Sequence, residues 1–485
     1  MIFHSGILEE PLLEFGNNGR EIDIRLGLMR HGPLEPERAT RVRLGIIGTA
    51  ETIEGFARFL DRCKIGIEAK ESRQPNLFLP FPGLGNESPF RCNFELNQHA
   101  RKPIPRADIM QIGGITSTPK AIVEAVEMFA AQAQAITEAP APPDVIICAL
   151  PDELITRVVH ETIIPDIAQD DEEDAAENTA LYDFRDLLKA RTIHLKRPLQ
   201  LVWPTTWDET AKVVRKLEKL SGRRVQDPAT RAWNLFNALY YKAGYVPWRL
   251  PRDPAQFDTS YVGISFYRDL TGQRLLTSTA QMFDERGQGV ILRGGRARTD
   301  KHDRHPYLSR EDAYDILGRS LQSYGAHHFH QPARVVVYKT ARFEHEEVNG
   351  FEQALQEERV RLFDFVWVAE RTPFRLLRNG VYPPLRGTYL ELEQGAILYS
   401  RGSVPYYRTY PGLYVPKPLM LRPYRRESTI VDLSRETLAL TKMNWNSTQF
   451  DGSLPITIRA ARSVSRVLKH VSAGSQEAAE FRFYI

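Results

Sequence analysis

Between Val246 and Pro254 the chain reads VPWRLPRDP, and its hydrophobic rhythm differs on the two sides of this joint. Before it, strand-length apolar runs alternate with helical patterns: RVRLGIIG then TAETIEGFARFLDRC, PKAIVEAVEMFAAQAQAI then VIICAL, PLQLVW then ETAKVVRKLEKLSG and PATRAWNLFNALYYKAG. Such alternation is the pattern of parallel strands joined by helical crossovers. After it, three long strand-like runs, YVGISFYR, LLTSTAQMFD and GVILRGG, are joined by connections too short for a crossover, so they pair antiparallel. A helical stretch, SREDAYDILGRSLQSYGA, then leads to ARVVVYKT, a strand that a crossover of this length returns in parallel. With 485 residues the chain exceeds one ordinary core. We expect two α/β domains, residues 1–250 and 251–485, with the earliest N-terminal residues packed on the second.

The order of the second half, antiparallel strands first and then helix and parallel strand, is that of an RNase H-like sheet; the first half reads as Rossmann-like. Apolar residues make up 42% and charged residues 26%, the balance of a soluble globular protein. No apolar run approaches the roughly 18 residues of a membrane span. The start, MIFHSGILEEPLLEFG, has neither the basic segment nor the small-residue cleavage site of a secretory leader. Cys63, Cys92 and Cys148 lie far apart and read as reduced core residues, so the expected location is cytoplasmic. The acidic run QDDEEDAAEN reads as an exposed insertion.

The net charge is only +3, but Leu181–Leu250 holds 14 Lys and Arg against 6 Asp and Glu. A basic concentration in a near-neutral chain points to a polyanion site. Arg185 and Lys189, four apart, share one helix face; Gln200 lies in the next strand and Lys242 near the end of a later helix. A guanidinium, two ammonium groups and an amide suit a terminal phosphate. Spacing alone leaves a solvated basic face open. Near the C-terminus Arg459, Arg462, Arg466 and Lys469 form a basic stripe beside apolar Val464, Val467, Leu468 and Val471, a face suited to a nucleic-acid backbone or to solubility alone. The tail, FRFYI, is too apolar to fray, and a buried terminal carboxylate at Ile485 requires a cation or basic partner.

Two-metal nucleases on an RNase H-like sheet require clustered carboxylates. Here the middle of the first strand carries Ser265, ARVVVYKT ends in Lys339–Thr340, and the last helix carries Arg462 where it nears the sheet. Asp258, Asp269 and Glu285 sit at strand ends or in loops. HHFH, at His327–His330, lies between a helix and a strand; on an extended chain its adjacent histidines point to opposite faces, a poor start for a zinc site. P-loop, HExxH, CxxC and GxSxG motifs are absent.

These stretches together resemble one family. DFRDLLKAR, RPLQLVW and QDPATRAWNLFNALYYKAGYVPWRL, followed by YVGISFYR, resemble the MID–PIWI half of an Argonaute, in particular the short prokaryotic Argonautes. RVVVYKTARFEHEEVNGFEQAL, LALTKMNWNSTQFDGSLPITIRAARSV, the terminal FRFYI and, near the start, EPLLEFG, RLGLMRHGPLE and PFPGLG fit the same pattern over nearly the whole chain. The resemblance implies a MID pocket for a guide 5′ phosphate at Arg185, Lys189, Gln200 and Lys242. It also implies a structural Mg²⁺ joining the phosphate to the Ile485 carboxylate. Tyr245, where relatives often have glycine, departs from the pattern and would reshape the pocket's edge. The acids of slicing Argonautes fall at Ser265, Thr340 and Arg462, so the PIWI domain is expected to be catalytically inactive. Arg459, Arg462 and Arg466 are expected to line the nucleic-acid channel. The implied function is guide-RNA-directed binding of single-stranded DNA without slicing, switching on a partner that carries an APAZ region and an effector. That effector is a sirtuin-like NADase by first expectation, otherwise a TIR NADase or a nuclease, acting by NAD depletion in defence against plasmids or phage. An active nuclease with rearranged ligands and a guide-independent nucleic-acid scaffold are the competing readings.

Overall fold

The structure is a computed structural model that describes residues 4–158, 182–221, 225–251, 257–270, 272–282, 289–300, 302, 304–407, 410, 415–449, 451–471 and 480–485. The acidic run and Glu285 lie outside the described residues. Two sheets organise the chain.

The first is a four-stranded parallel sheet in the order Asn93–Pro103, Arg41–Gly48, Val145–Ala149, Leu199–Val202. Val145, Ile147 and Ala149 enter one core cluster, and Ile146 and Cys148 enter another. Both faces are therefore covered, and VIICA is apolar throughout rather than alternating. Helices Ala50–Ile65 and Pro228–Lys242 pack on one face; Thr118–Thr137 and Phe184–Thr192 pack on the other. Thr49 caps the first of these helices by accepting from the Thr52 N–H, and Asp227 caps the second ahead of Pro228. Phe81 and Phe90, from the Pro/Gly-rich loop, pack on Trp233 and hold that loop against helix Pro228–Lys242.

The second is a nine-stranded mixed sheet. Thr259–Arg268 pairs antiparallel with Leu275–Met282, which pairs antiparallel with Gly289–Arg296. On its other side Thr259–Arg268 pairs in parallel with Arg334–Lys339, and that strand in parallel with Leu362–Ala369. The expected RNase H-like order is present. Leu419–Arg425, Gly395–Leu398, Thr388–Leu392 and Ser5–Ile7 extend it by antiparallel pairing. Helices Arg310–His328 and His345–Glu357 belong to the core on one face, and Ile456–Leu468 to the core on the other. The last helix crosses Thr259–Arg268 so closely that a Cβ on Gly263 would lie 2.2 Å from the Thr457 carbonyl oxygen.

The N-terminal segment ties the two sheets together. Its Glu10 carboxylate is buried against Arg386 and Lys442, and Glu14 exchanges backbone hydrogen bonds with Arg249. The extended reading of HHFH needs correction. Helix Arg310–His328 runs through both histidines, so His328 stacks on Tyr324 one turn earlier, 4.2 Å between ring centroids. Among the described residues, no group of three His, Cys, Asp or Glu is placed to hold a metal ion, and no helix is long and apolar enough to cross a membrane.

Candidate functional site

The basic residues of the first half meet beside an edge strand. Leu199–Val202 ends its sheet, and Gln200, in register with Ile147, faces the side covered by helix Pro228–Lys242. Lys242, the last residue of that helix, is fully buried; its Nζ donates to Gln200 Oε1 at 2.7 Å and to the Leu199 carbonyl at 3.1 Å. From the other face, helix Phe184–Thr192 brings Lys189, whose buried Nζ donates to the Tyr484 carbonyl at 3.3 Å. Cys148 lies in the electrostatic reach of both ammonium groups, although burial dominates and pushes its thiol up to about 12. Lys189, Gln200, Lys242 and the tail thus meet around the end of one strand, with cations drawn from both faces of the sheet.

The tail is anchored as its composition requires. Phe481, Phe483, Tyr484 and Ile485 are all buried. Arg482 lies over the Phe483 ring and pairs with Glu480 at 2.7 Å. Gly244, just after the Lys242 helix, has φ +98, and a Cβ there would lie 2.3 Å from Arg482 Nη1. The positive φ favours glycine at this position, and any side chain there would displace the Arg482 guanidinium. Tyr245 packs its ring on Tyr240, with centroids 5.3 Å apart.

Arg185 is buried one turn before Lys189 and donates to Asp186 Oδ1 at 3.1 Å. Asp183 caps this helix by accepting from the Asp186 N–H at 2.7 Å. Burial, reinforced by Asp186, raises the Asp183 carboxyl to about 6 against the pull of Arg185 and Arg466. Burial also opposes ionisation of Asp186, but Arg466, Arg185, Lys469 and Lys189 outweigh it and hold that carboxyl below its ordinary range. Neither acid figured in the sequence reading. Their environments show that Arg466 and Lys469, at the far end of the last helix, stand over the Arg185 helix.

The other end of the basic stripe meets the second sheet. Val464, Val467 and Leu468 are fully buried, so the charged face is turned away from the core. Arg459 and Arg462 are half-buried and Arg466 is exposed. Arg462 donates to Glu370, the first residue beyond strand Leu362–Ala369. Lys339 pairs with Ile264 and Trp367 in parallel register, and the Thr340 N–H donates to the Ile264 carbonyl at 3.3 Å. Thr340, half-buried and just past the carboxyl end of its strand, therefore stands beside Ser265, buried in the middle of the adjacent strand, on the face opposite Ile264 and Lys339. Tyr267 and Tyr338, one step of two along those strands, share the core cluster of the last helix and fix which face this is.

Lys339 itself points the other way. It is buried over the Phe266 and Phe343 rings and paired with Glu347; burial lowers its ammonium to about 8. Asp258 accepts from the Tyr324 hydroxyl at 2.6 Å, and Asp269 accepts from the backbone of its own turn at Gln273 and Arg274. Both carboxylates are engaged in local structure. Glu370 was missed in the sequence; its only local signal is an acid directly after a buried strand.

No protein-family model matches the chain, and no curated protein matches it. Solved structures do. A Clostridium butyricum Argonaute bound to a guide DNA and a 19-mer target DNA aligns with TM-score 0.63 at 16% identity, over 98% of this chain and 54% of that one. Drosophila Piwi aligns with TM-score 0.60 at 12% identity, over 99% of this chain and 56% of that one. Aa-Ago with externally bound siRNA aligns with TM-score 0.60 at 16% identity, over the same shares. The chain spans just over half the length of these proteins. Its two sheets, with their flanking helices, have the MID–PIWI fold of Argonaute and Piwi proteins.

Proposed function

We propose that the chain holds the 5′ phosphate of a guide RNA in the Lys189–Gln200–Lys242 pocket and uses the guide to bind single-stranded DNA without cutting it. The observation that carries this reading is that buried Lys189 donates to the Tyr484 carbonyl of the buried C-terminal segment while buried Lys242 donates to Gln200, with Cys148 in the field of both ammonium groups. Donors already immobilised in a low-dielectric site gain most from a phosphate, because little reorganisation accompanies binding. Arg185 lies one turn from Lys189 and completes the basic set. Of the groups at this site, only the Ile485 carboxylate has the chemistry to take a Mg²⁺. That ion keeps several waters and takes one or two carboxylates together with ligand phosphates. The Ile485 carboxylate is the protein group that would hold it, and its role would be to offset charge between carboxylate and phosphate.

Absence of slicing rests on Ser265, Thr340 and Arg462, none of which can bind a divalent cation as a carboxylate does. Base pairing would supply sequence specificity, and Arg459, Arg462 and Arg466 would read backbone charge. Target binding would then be passed to an APAZ-bearing effector partner, with a sirtuin-like NADase as the first candidate, in a defence role.

Competition between 5′-phosphorylated and 5′-hydroxyl RNA guides of one sequence tests the pocket; equal affinity overturns it. Incubating loaded protein with matched DNA and Mg²⁺ or Mn²⁺ tests the rest. A bound, intact target is expected, and divalent-dependent cleavage establishes the nuclease reading instead. Co-expression with the products of neighbouring reading frames, read by co-purification and NAD⁺ consumption on adding target, tests the partner.

A further inference from the structure

Arg462 pairs with Glu370 just beyond the carboxyl end of the parallel strand Leu362–Ala369; Thr340 follows the neighbouring parallel strand and stands beside Ser265. Their side chains are 26% and 21% exposed, so both are within reach of an anion in solution. In open α/β sheets this is the end at which ligands bind. A pair that keeps this much access to solvent is screened and readily exchanged for another anion. A phosphodiester offers the guanidinium the same two-oxygen match that the carboxylate offers, with the field of a whole strand behind it.

We propose that Glu370 is an internal substitute for a nucleic-acid phosphate: it neutralises Arg462 in the empty protein and is displaced when the backbone of a bound strand reaches the carboxyl ends of the sheet. This rests on reading the chain as a nucleic-acid-binding protein, and it adds a residue that works against binding. Opening the pair subtracts its free energy from the affinity of every strand that reaches Arg462. The released carboxylate also stays close enough to repel the incoming phosphate. Glu370 thereby sets how much backbone contact elsewhere is needed before a strand is retained. A purely structural pair would instead persist with nucleic acid bound and leave affinity unaffected.

The test is a two-by-two set: wild type, Glu370→Gln, Arg462→Gln and the double variant. Each is loaded with a 5′-phosphorylated RNA guide and titrated with fluorescent matched single-stranded DNA across a potassium chloride series. Glu370→Gln is expected to tighten binding several-fold at low salt without steepening the log Kd against log salt slope, because Arg462 makes the same phosphate contact in both proteins. Arg462→Gln is expected to weaken binding and flatten the slope by about one. In the Arg462→Gln background, Glu370→Gln is expected to give a smaller gain. A Glu370→Gln variant that melts like wild type and binds with wild-type affinity overturns the inference. An equal gain in both backgrounds also overturns it, because that is general repulsion rather than competition for Arg462. Failure of the wild type to bind guide or target overturns the nucleic-acid reading as a whole. Normal wild-type binding with an inert Glu370 overturns only the substitution.

Discussion

Lys242→Met removes one ammonium from the pocket and keeps almost the whole side-chain volume. In the folded protein Lys242 is fully buried and donates to the Leu199 carbonyl and to Gln200 Oε1. Two oxygens lose a donor, at about 1 kcal/mol each, while the desolvation penalty of a buried cation disappears with it. These effects oppose, so the net change in stability is expected to stay within about 2 kcal/mol of zero. Against a phosphorylated guide nothing opposes the loss. A hydrogen bond to a charged group contributes about 1.5–3 kcal/mol, which is roughly 10- to 150-fold in affinity. The assay is competition between 5′-phosphate and 5′-hydroxyl guides on wild type and variant, with thermal melting as the check on folding. The phosphate preference is expected to fall by that factor while hydroxyl-guide affinity holds within about twofold. Lys189→Met should behave alike, and the double variant should lose less than the product of the two, because both groups act on one phosphate. Equal losses for both guides would refute the argument, since the ammonium would then be supporting the fold or the guide's body rather than its 5′ end.

Three further outcomes follow from the geometry. Gly263→Ala forces a Cβ to 2.2 Å from the Thr457 carbonyl and should lower stability by about 1–3 kcal/mol in denaturant unfolding, whereas Gly318→Ala, with nothing within 4 Å, should be neutral or stabilising by up to about 1 kcal/mol. Glu10→Gln leaves Arg386 and Lys442 without their buried carboxylate and should cost about 3–5 kcal/mol at neutral pH. Burial opposes ionisation of Glu10, but those two cations hold its folded pKa below the ordinary value. Its contribution is therefore complete above the unfolded pKa of about 4.3 and is lost as pH falls through the folded one, so the gap between wild type and variant should close in acid unfolding series. Ser265→Asp should give no cleavage of matched target with Mg²⁺ or Mn²⁺, because Thr340 and Arg462 still supply no carboxylate; cut product would show that the ligand set had been misread.

The parts of the fold visible in the sequence are those whose cause is local. VIICA is apolar at every position because its strand has helices on both faces. The three runs after the proline-rich joint had to pair antiparallel because their connections are short. Arg185 and Lys189 announced themselves by an i,i+4 spacing. The rest depends on contacts between residues remote in the chain. No local pattern marks Ser5–Ile7 as a strand of the second sheet, or Glu10 as the counter-charge of Arg386 and Lys442. The histidine cluster was misjudged because the helix continues through His328 to a left-handed Phe329, φ 64, with no glycine to mark the stop. Glu370 was invisible because its significance lies in Arg462, on an element that follows much later.

Those long-range contacts also explain why the two candidate regions behave as one surface. Helix Ile456–Leu468 is seated on the second sheet by the close crossing at Gly263 and by Val464, Val467 and Leu468, all fully buried. Its charged face runs from Arg462, at Glu370, to Arg466 and Lys469, which depress the Asp186 carboxyl beside Arg185. Seven residues at about 1.5 Å per residue make this path about 10 Å long, and it is rigid because its apolar side is packed. Farther on, the carbonyl of the penultimate residue, Tyr484, receives Lys189. A strand held at both ends of this helix would be held at fixed spacing. Sliding the helix to signal that a target is bound would break the Gly263 crossing and move Arg466 and Lys469 away from Asp186 together. In the proposed reading, the signal to a partner is therefore carried by the bound duplex and the exposed elements around it, with the last helix as the fixed reference.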